Sequence, residues 1–240
     1  MKKIQHGKYK ALANEIISQI YTKENLKKRE STIYRKDDFH QKYSRGGLSM
    51  ERGYYCPSLV EEIIVTNISR GKLLKRVTKK APDYCYYFHK GMLVLVEKND
   101  EFGNQDFEWI ERSGEREYSI RQCDGDDTVT LILSKYRQDK ILENSFLTLE
   151  NQSNYQLELE KYEYDAEGKL CHAKKEIYSF YNGDAYEDIF VLDFLYNHQG
   201  DLQKCIINGE EEDALVRIPP KVRELSLIHI SFLIFLTDCG

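Results

Sequence analysis

Tyr155-Gln156-Leu157-Glu158-Leu159-Glu160-Lys161-Tyr162-Glu163-Tyr164-Asp165-Ala166-Glu167-Gly168-Lys169-Leu170 is the stretch whose reading decides the fold. Tyr155, Leu157 and Leu159 alternate with Gln156, Glu158 and Glu160. A period of two sends alternate side chains to opposite faces of an extended strand. After Lys161 the parity flips, and Tyr162 and Tyr164 carry the pattern. Such a flip predicts a β-bulge, or a strand leaving one layer for another. Asp165 to Gly168 then reads as a turn. The aspartate bonds its own backbone, and the glycine supplies a left-handed conformation.

Outward from this stretch the same period recurs. Ile63-Ile64-Val65, Leu73-Leu74, Tyr84 to Phe88, Met92 to Val96, Phe107 and Trp109, Val129 to Leu133, and Phe146 to Leu149 are short β-branched or aromatic runs. Ile177 to Tyr181, Ile189 to Leu195 and Cys205 to Ile207 complete about a dozen predicted strands. The separations are of hairpin length and leave no room for crossover helices. The expectation is a mainly β chain: an antiparallel β-meander sheet with an N-terminal amphipathic helix, an α+β arrangement. Eighteen tyrosines fit half-buried pleated surface, with the ring packed and the hydroxyl wet.

Tyr164 to Leu170 and Tyr196-Asn197-His198-Gln199-Gly200-Asp201-Leu202 share the pattern Y-[DN]-x-x-G-x-L, and Asp100 to Gly103 is a partial third copy. Asp165 and Gly168, with Asn197 and Gly200, are the turn residues. The tyrosine before each turn is expected to pack against the leucine after it. The motif resembles the YD repeats of Rhs-type proteins, over two seven-residue stretches. What the resemblance implies is the hairpin, with no function and no toxin-enclosing shell.

Residues 8–22 predict one amphipathic helix, with Tyr9, Leu12, Ile16, Ile17 and Ile20 on one face. Residues 23–56 lack a period and interleave Lys27, Lys28, Arg29, Arg35, Lys42 and Arg52 with Tyr34, Phe39, Tyr43, Tyr54 and Tyr55. Cations among rings suit single-stranded nucleic acid, and equally a basic strap anchored by its tyrosines. Residues 1–80 hold 19 Lys and Arg against 8 Asp and Glu, although the whole chain has a net charge of −5. The plainer expectation is that this basic part packs on the acidic remainder.

From Leu225 the sequence becomes LSLIHISFLIFLTDCG. LSLIHI resembles the in-frame translation of a sequencing-library adapter, which implies that the native C-terminus is lost and that what remains is an N-terminal fragment ending near Arg223. A buried apolar element and a membrane anchor are the rival readings. The run from Leu225 to Leu236 is short for a span, which takes about twenty residues. The expected organisation is 1–56 helix and basic strap, 57–224 β-meander, and 225–240 non-native tail.

Function leaves little local trace. Cys56, Cys85, Cys123, Cys171 and Cys205 are scattered without a C-x-x-C pair, and no secretory signal is visible. Both favour free thiols in a cytoplasm. Cys123 to Thr128 is an acidic cluster that could attract a hard cation, but Asp-Gly between alternating runs reads first as a hairpin turn. Glu210 to Asp213 reads as a solvated loop. The histidines stand apart, and no nucleophile-elbow, zinc, phosphate-loop or dinucleotide motif occurs. No catalytic residue, metal or cofactor is assigned. The leading expectation is a non-enzymatic interaction protein binding a protein partner through the sheet face or edge. An immunity-type protein from a toxin system is a fold-level analogy. Nucleic-acid binding through the basic N-terminal segment and an enzyme with a dispersed site are the alternatives, and no membrane partner is expected.

Overall fold

A computed structural model describes residues 6–65, 68–76, 80–99, 105–123, 127–150 and 154–212. Two helices come first, α1 (His6–Ile20) and α2 (Lys23–Tyr34), followed by β1 (His40–Arg45), the short helix α3 (Glu61–Ile64) and β2 (Lys72–Leu73). The remaining strands are β3 (Tyr84–His89), β4 (Met92–Asn99), β5 (Gln105–Ser113), β6 (Arg116–Cys123), β7 (Val129–Arg137) and β8 (Lys140–Leu149). Then follow β9 (Tyr155–Tyr164), β10 (Leu170–Tyr181), β11 (Asp184–Tyr196), β12 (Leu202–Ile207) and β13 (Glu210–Glu212). All join one open, antiparallel sheet in the order β13 to β3, then β1, then β2. From β3 onward each strand lies beside its sequence neighbour, so the meander and its N-terminal helix are as expected.

Burial explains the parity flip in β9. That strand pairs without a shift from Tyr155 to Lys161 with β8 and from Tyr155 to Glu163 with β10, so the one register shift, beside Tyr164, falls after the flip and leaves its extra residue in β10. What changes is which face is covered. Tyr155 and Leu157 pack in the cluster that holds Tyr9, Ala13, Ile16 and Ile20 of α1. Tyr162 belongs to the cluster that holds Val60 and Ile63 on the opposite face. The expected bulge or layer change is therefore corrected. One straight strand is buried first on one side and then on the other, because different segments cover its two ends.

Residues 46–65 supply that second cover. Tyr54 and Tyr55 pack on Tyr84, Tyr86 and Phe88 of β3, while Cys85 and Tyr87 belong to the cluster on the face that α1 and α2 cover. Gly53, at φ +52°, lies so close to the Tyr84 ring that a Cβ would sit 2.6 Å from it. Leu59 to Val65 was expected to begin the strands, and Ile63-Ile64 instead lies in α3. The Ser58 hydroxyl accepts from the amides of Val60 and Glu61 and starts that turn.

Residues 23–45 are also more regular than a strap. Thr22 caps α2 by accepting from the Asn25 amide at 3.1 Å, and the Asn25 side chain donates to the Ile20 carbonyl. β1 pairs with β3 inside the sheet. β6, which lay outside the predicted strands, fits the alternation of Tyr118 and Ile120 with Glu117, Ser119 and Arg121. Glu210 to Glu212 forms β13 rather than a loop. Asp100 to Gly103, Asp124 to Asp126, Asp213, Pro219-Pro220 and residues 225–240 lie outside the described residues.

The two sequence repeats fold alike. The Asp165 carboxylate accepts the Lys169 amide at 2.7 Å, and Asn197 Oδ1 accepts the Asp201 amide at 2.8 Å. Gly168 and Gly200 have φ of +82° and +86°. Tyr164 sits opposite Leu170 and Tyr196 opposite Leu202, with a register shift beside each pair. The Tyr164 hydroxyl donates to the Ile141 carbonyl, and the Tyr196 hydroxyl to the Leu170 carbonyl, both at 2.8 Å. Lys140 and Lys169 lie over the respective rings.

A third member precedes them. Tyr136 sits opposite Ile141 beside its own register shift, with Arg112 stacked on its ring at 4.4 Å. Its turn is a residue shorter and uses Gln138 and Asp139 at φ +50° and +63° instead of glycine. That substitution hides it from a glycine-based pattern. Gly168→Ala and Gly200→Ala are each expected to destabilise the fold by about 1–2 kcal/mol, the cost of a left-handed non-glycine residue. Denaturant midpoints of the two variants, compared with the parent, measure this; unchanged midpoints would contradict the turns.

Candidate functional site

Three places gather polar chemistry, and they differ in what can reach them. The first is a buried cluster between α3 and the sheet. Lys175 of β10 lies directly opposite Glu160 of β9, and its ammonium meets Glu158 at 2.6 Å, Glu160 at 3.3 Å and Glu61 of α3. Ser58 and Tyr162 donate their hydroxyls to Glu160, and Asn144 donates to Glu160 and to the Pro57 carbonyl. Ser134 in turn donates to Asn144 at 2.7 Å.

Burial works against the charged ammonium, but Glu160, Glu158 and Glu61 outweigh it and hold the Lys175 amine above its ordinary range. Burial pushes the Glu61 carboxyl up, and Lys175 opposes that shift. Burial, reinforced by Glu160, raises the Tyr162 phenol well above its usual value. The Lys175 side chain is 1% exposed and that of Glu160 is 0% exposed, so no substrate touches them in this conformation. The cluster clamps residues 57–61 to the sheet.

A related set holds the residues on either side. Arg52 pairs with Glu108 at 2.8 Å and Glu117 at 2.7 Å, Glu51 pairs with Arg121, and Arg70 pairs with Glu62 at 2.8 Å. Burial disfavours the Arg52 charge, but Glu108 and Glu117 reverse the balance and raise its pKa. Basic residues of the N-terminal part are engaged with the sheet in the same way. Lys8 meets Glu176, Lys28 meets Glu111 and Lys36 meets Glu97. Lys42 lies over the Phe88 ring. These pairs are the internal neutralisation expected from the charge asymmetry.

The second place is open. A groove of about 530 Å³ runs between α2 and the strands β3 to β5. Val94 and Trp109 form its apolar floor, and Met92, 49% exposed, stands at its mouth. Phe39 meets His89 edge-on along one side. Lys28 of α2 and Arg35 at its C-terminal end stand on the opposite side. A register shift between Tyr87 and Phe88 leaves Val94 as the extra residue of β4, and bulges of this kind re-aim side chains. The sequence carried the groove's residues but not their meeting, because α2 and the bulge have no strong local pattern.

The third place is the sheet surface beside the groove. Ser113 of β5 is opposite Arg116 of β6, and Arg116 is opposite Lys135 of β7. The same line of direct partners continues through Glu143, Lys161 and Lys174. Directly opposed residues share a face, so these side chains form one row across β6 to β10.

The residues picked out by sequence, Asp165, Gly168, Asn197 and Gly200, serve hairpin geometry and line none of these places. His172 pairs with Asp193 at 2.7 Å on the sheet surface, and His198 is exposed in its turn. No group of three or more His, Cys, Asp or Glu among the described residues has the arrangement to hold a metal ion. Cys56, Cys85 and Cys171 carry no disulfide, and burial pushes the Cys56 thiol up to about 12. No described helix is long and apolar enough to cross a membrane.

Lys175→Met is expected to cost about 3–5 kcal/mol in urea denaturation at neutral pH, because it leaves buried carboxylates without their cation. Glu61 already has a raised pKa, so the folded state binds its proton more readily than the unfolded chain does. Removing the ammonium enlarges that difference, and stability of the variant should recover as the pH falls towards about 5. A variant as stable as the parent at neutral pH would refute the clamp. Comparison with protein-family models, with curated proteins and with solved structures finds no match to this chain.

Proposed function

We propose that this protein is a non-enzymatic interaction module that takes a polypeptide segment of a partner into the groove between α2 and β3 to β5. The supporting observation is the contrast between the sites. The richest cluster of ionisable groups is internally paired around the buried Lys175 and Glu160, whereas the open groove has an apolar floor and a charged rim. A concave apolar site with a few polar groups at its edge is suited to binding. Met92 is placed to receive an apolar anchor, since an unbranched thioether repacks easily around different shapes. Lys28 and Arg35 are already paired with Glu111 and Asp38, so the rim orients a ligand more than it attracts one.

Trp109 is the single tryptophan of the chain and lines the groove, which provides a spectroscopic reporter. Panning a displayed random-peptide library on the protein is expected to enrich segments with an apolar anchor. Their binding should shift Trp109 emission, and Met92→Glu should weaken it at least tenfold while leaving the melt unchanged. Peptides that bind without moving Trp109 emission and without sensitivity to Met92→Glu would sink the proposal, as would a library that yields none.

A further inference from the structure

Arg116, Lys135, Lys161 and Lys174 stand in one row with a single carboxylate, Glu143. Arg116, Lys135 and Lys161 are exposed and Lys174 is partly exposed. Two steps of the row set like charges directly opposite each other, Arg116 against Lys135 and Lys161 against Lys174. Like charges at that position destabilise a sheet. Lys135 is relieved by Glu143, and Lys174 by Glu176, which also meets Lys8 of α1. Arg116 and Lys161 have no acidic partner among the described residues. Strands lie about 4.8 Å apart, so the row runs about 19 Å from Arg116 to Lys174.

The row has a defined border. On its α1 side the next line of direct partners is Tyr118, Leu133, Ser145, Leu159, Glu176 and Ile189. Leu133 and Leu159 are partly buried, and Ile189 is 36% exposed. On its far side stand Glu163, His172 and Asp193. At one end the row meets the groove, because Ser113, opposite Arg116, is two residues from Glu111 on the groove's rim.

We infer that this row is a docking surface for an acidic polypeptide segment of a protein partner, lying across β6 to β10 alongside α1. The inference rests on the groove reading only for continuity: a segment anchored in the groove would continue along the row. Charge complementarity supplies the argument for the occupant, since carboxylates spaced along a chain relieve the opposed cations without desolvating them. The aliphatic border fits side chains of a polypeptide. Single-stranded nucleic acid would use stacking rings, and the bordering line offers one aromatic, Tyr118.

The test uses the full chain with a long poly-L-glutamate as probe, and single-stranded DNA of matched charge as competitor. The double variant Arg116→Glu/Lys161→Gln should lose at least tenfold in affinity for poly-L-glutamate at low salt. Met92→Glu and a control charge change on α2, Lys27→Glu, should leave that affinity within twofold. Arg116→Glu alone should also raise the melting temperature, since it replaces a repulsive cross-strand pair with an attractive one. Loss of poly-L-glutamate binding in Lys27→Glu but not in the row variant would overturn the inference. So would tighter binding of DNA that the row variant abolishes, or no binding of poly-L-glutamate at all. Failure of Met92→Glu to affect anchored peptides, with the row result intact, would remove the groove reading alone.

Discussion

A meander of this width buries apolar side chains on both of its faces, and each face has to be kept from water by something other than the sheet. That constraint organises the molecule. The same N-terminal residues serve both sides: α1 and α2 lie on one face, β1 enters the sheet between β2 and β3, and residues 46–65 then lie on the other face. Each cover is limited in extent. Tyr9 of α1 reaches β10 and stacks on Tyr178, while Val60 and Ile63 pack towards β8 to β12. Strands therefore change their buried side along their length, and β9 shows the change within ten residues.

The two covers are attached differently. α1 and α2 follow the ordinary rule for a helix on a sheet, an apolar stripe against an apolar face. Residues 46–65 form only short helical turns, so their backbone groups need partners from elsewhere. The tyrosine hydroxyls of β3 and β9, the Asn144 amide, the Lys98 ammonium and the Arg70 guanidinium supply them. Tyr84 donates to the Met50 carbonyl, Tyr86 donates to the Arg52 carbonyl, and the Leu59 amide donates to Tyr162. Ion pairs of Arg52 and Glu61 with the sheet fix the register of the cover, and Arg70 ties Glu62 to the Cys56 and Ser58 carbonyls. A buried pair is a poor source of net stability but a strong penalty on any alternative placement. Tyr84, Tyr86 and Tyr162 thus have a structural use: each ring fills the core while its hydroxyl satisfies irregular backbone.

The three tyrosine hairpins show the limit of pattern reading. Two were visible because aspartate or asparagine and glycine stand at fixed offsets. The third, at Tyr136 and Ile141, repeats the ring packing and the cation over the ring, but builds its turn from Gln138 and Asp139. What recurs physically is a ring, a facing aliphatic and a register shift; the turn chemistry can vary. β6 was recoverable from Tyr118 and Ile120. α2 was read as part of an aperiodic strap, because few of its residues are apolar and its helical start depends on the Thr22 cap.

Alternation, turn residues and hairpin-length spacing are local properties, and they determined the antiparallel meander, the amphipathic α1 and the positions of Asp165, Gly168, Asn197 and Gly200. The identity of the covered face is not local. It depends on where α1 and residues 46–65 come to rest, so the parity flip at Lys161 could be seen in sequence but not interpreted. The groove and the cation row are less local still. The groove needs α2, a bulge in β4 and Trp109 of β5 to meet, and the row needs four strand registers to align residues 58 positions apart at its ends. Registers are set by side-chain packing across neighbouring strands, and only the folded sheet brings those neighbours together.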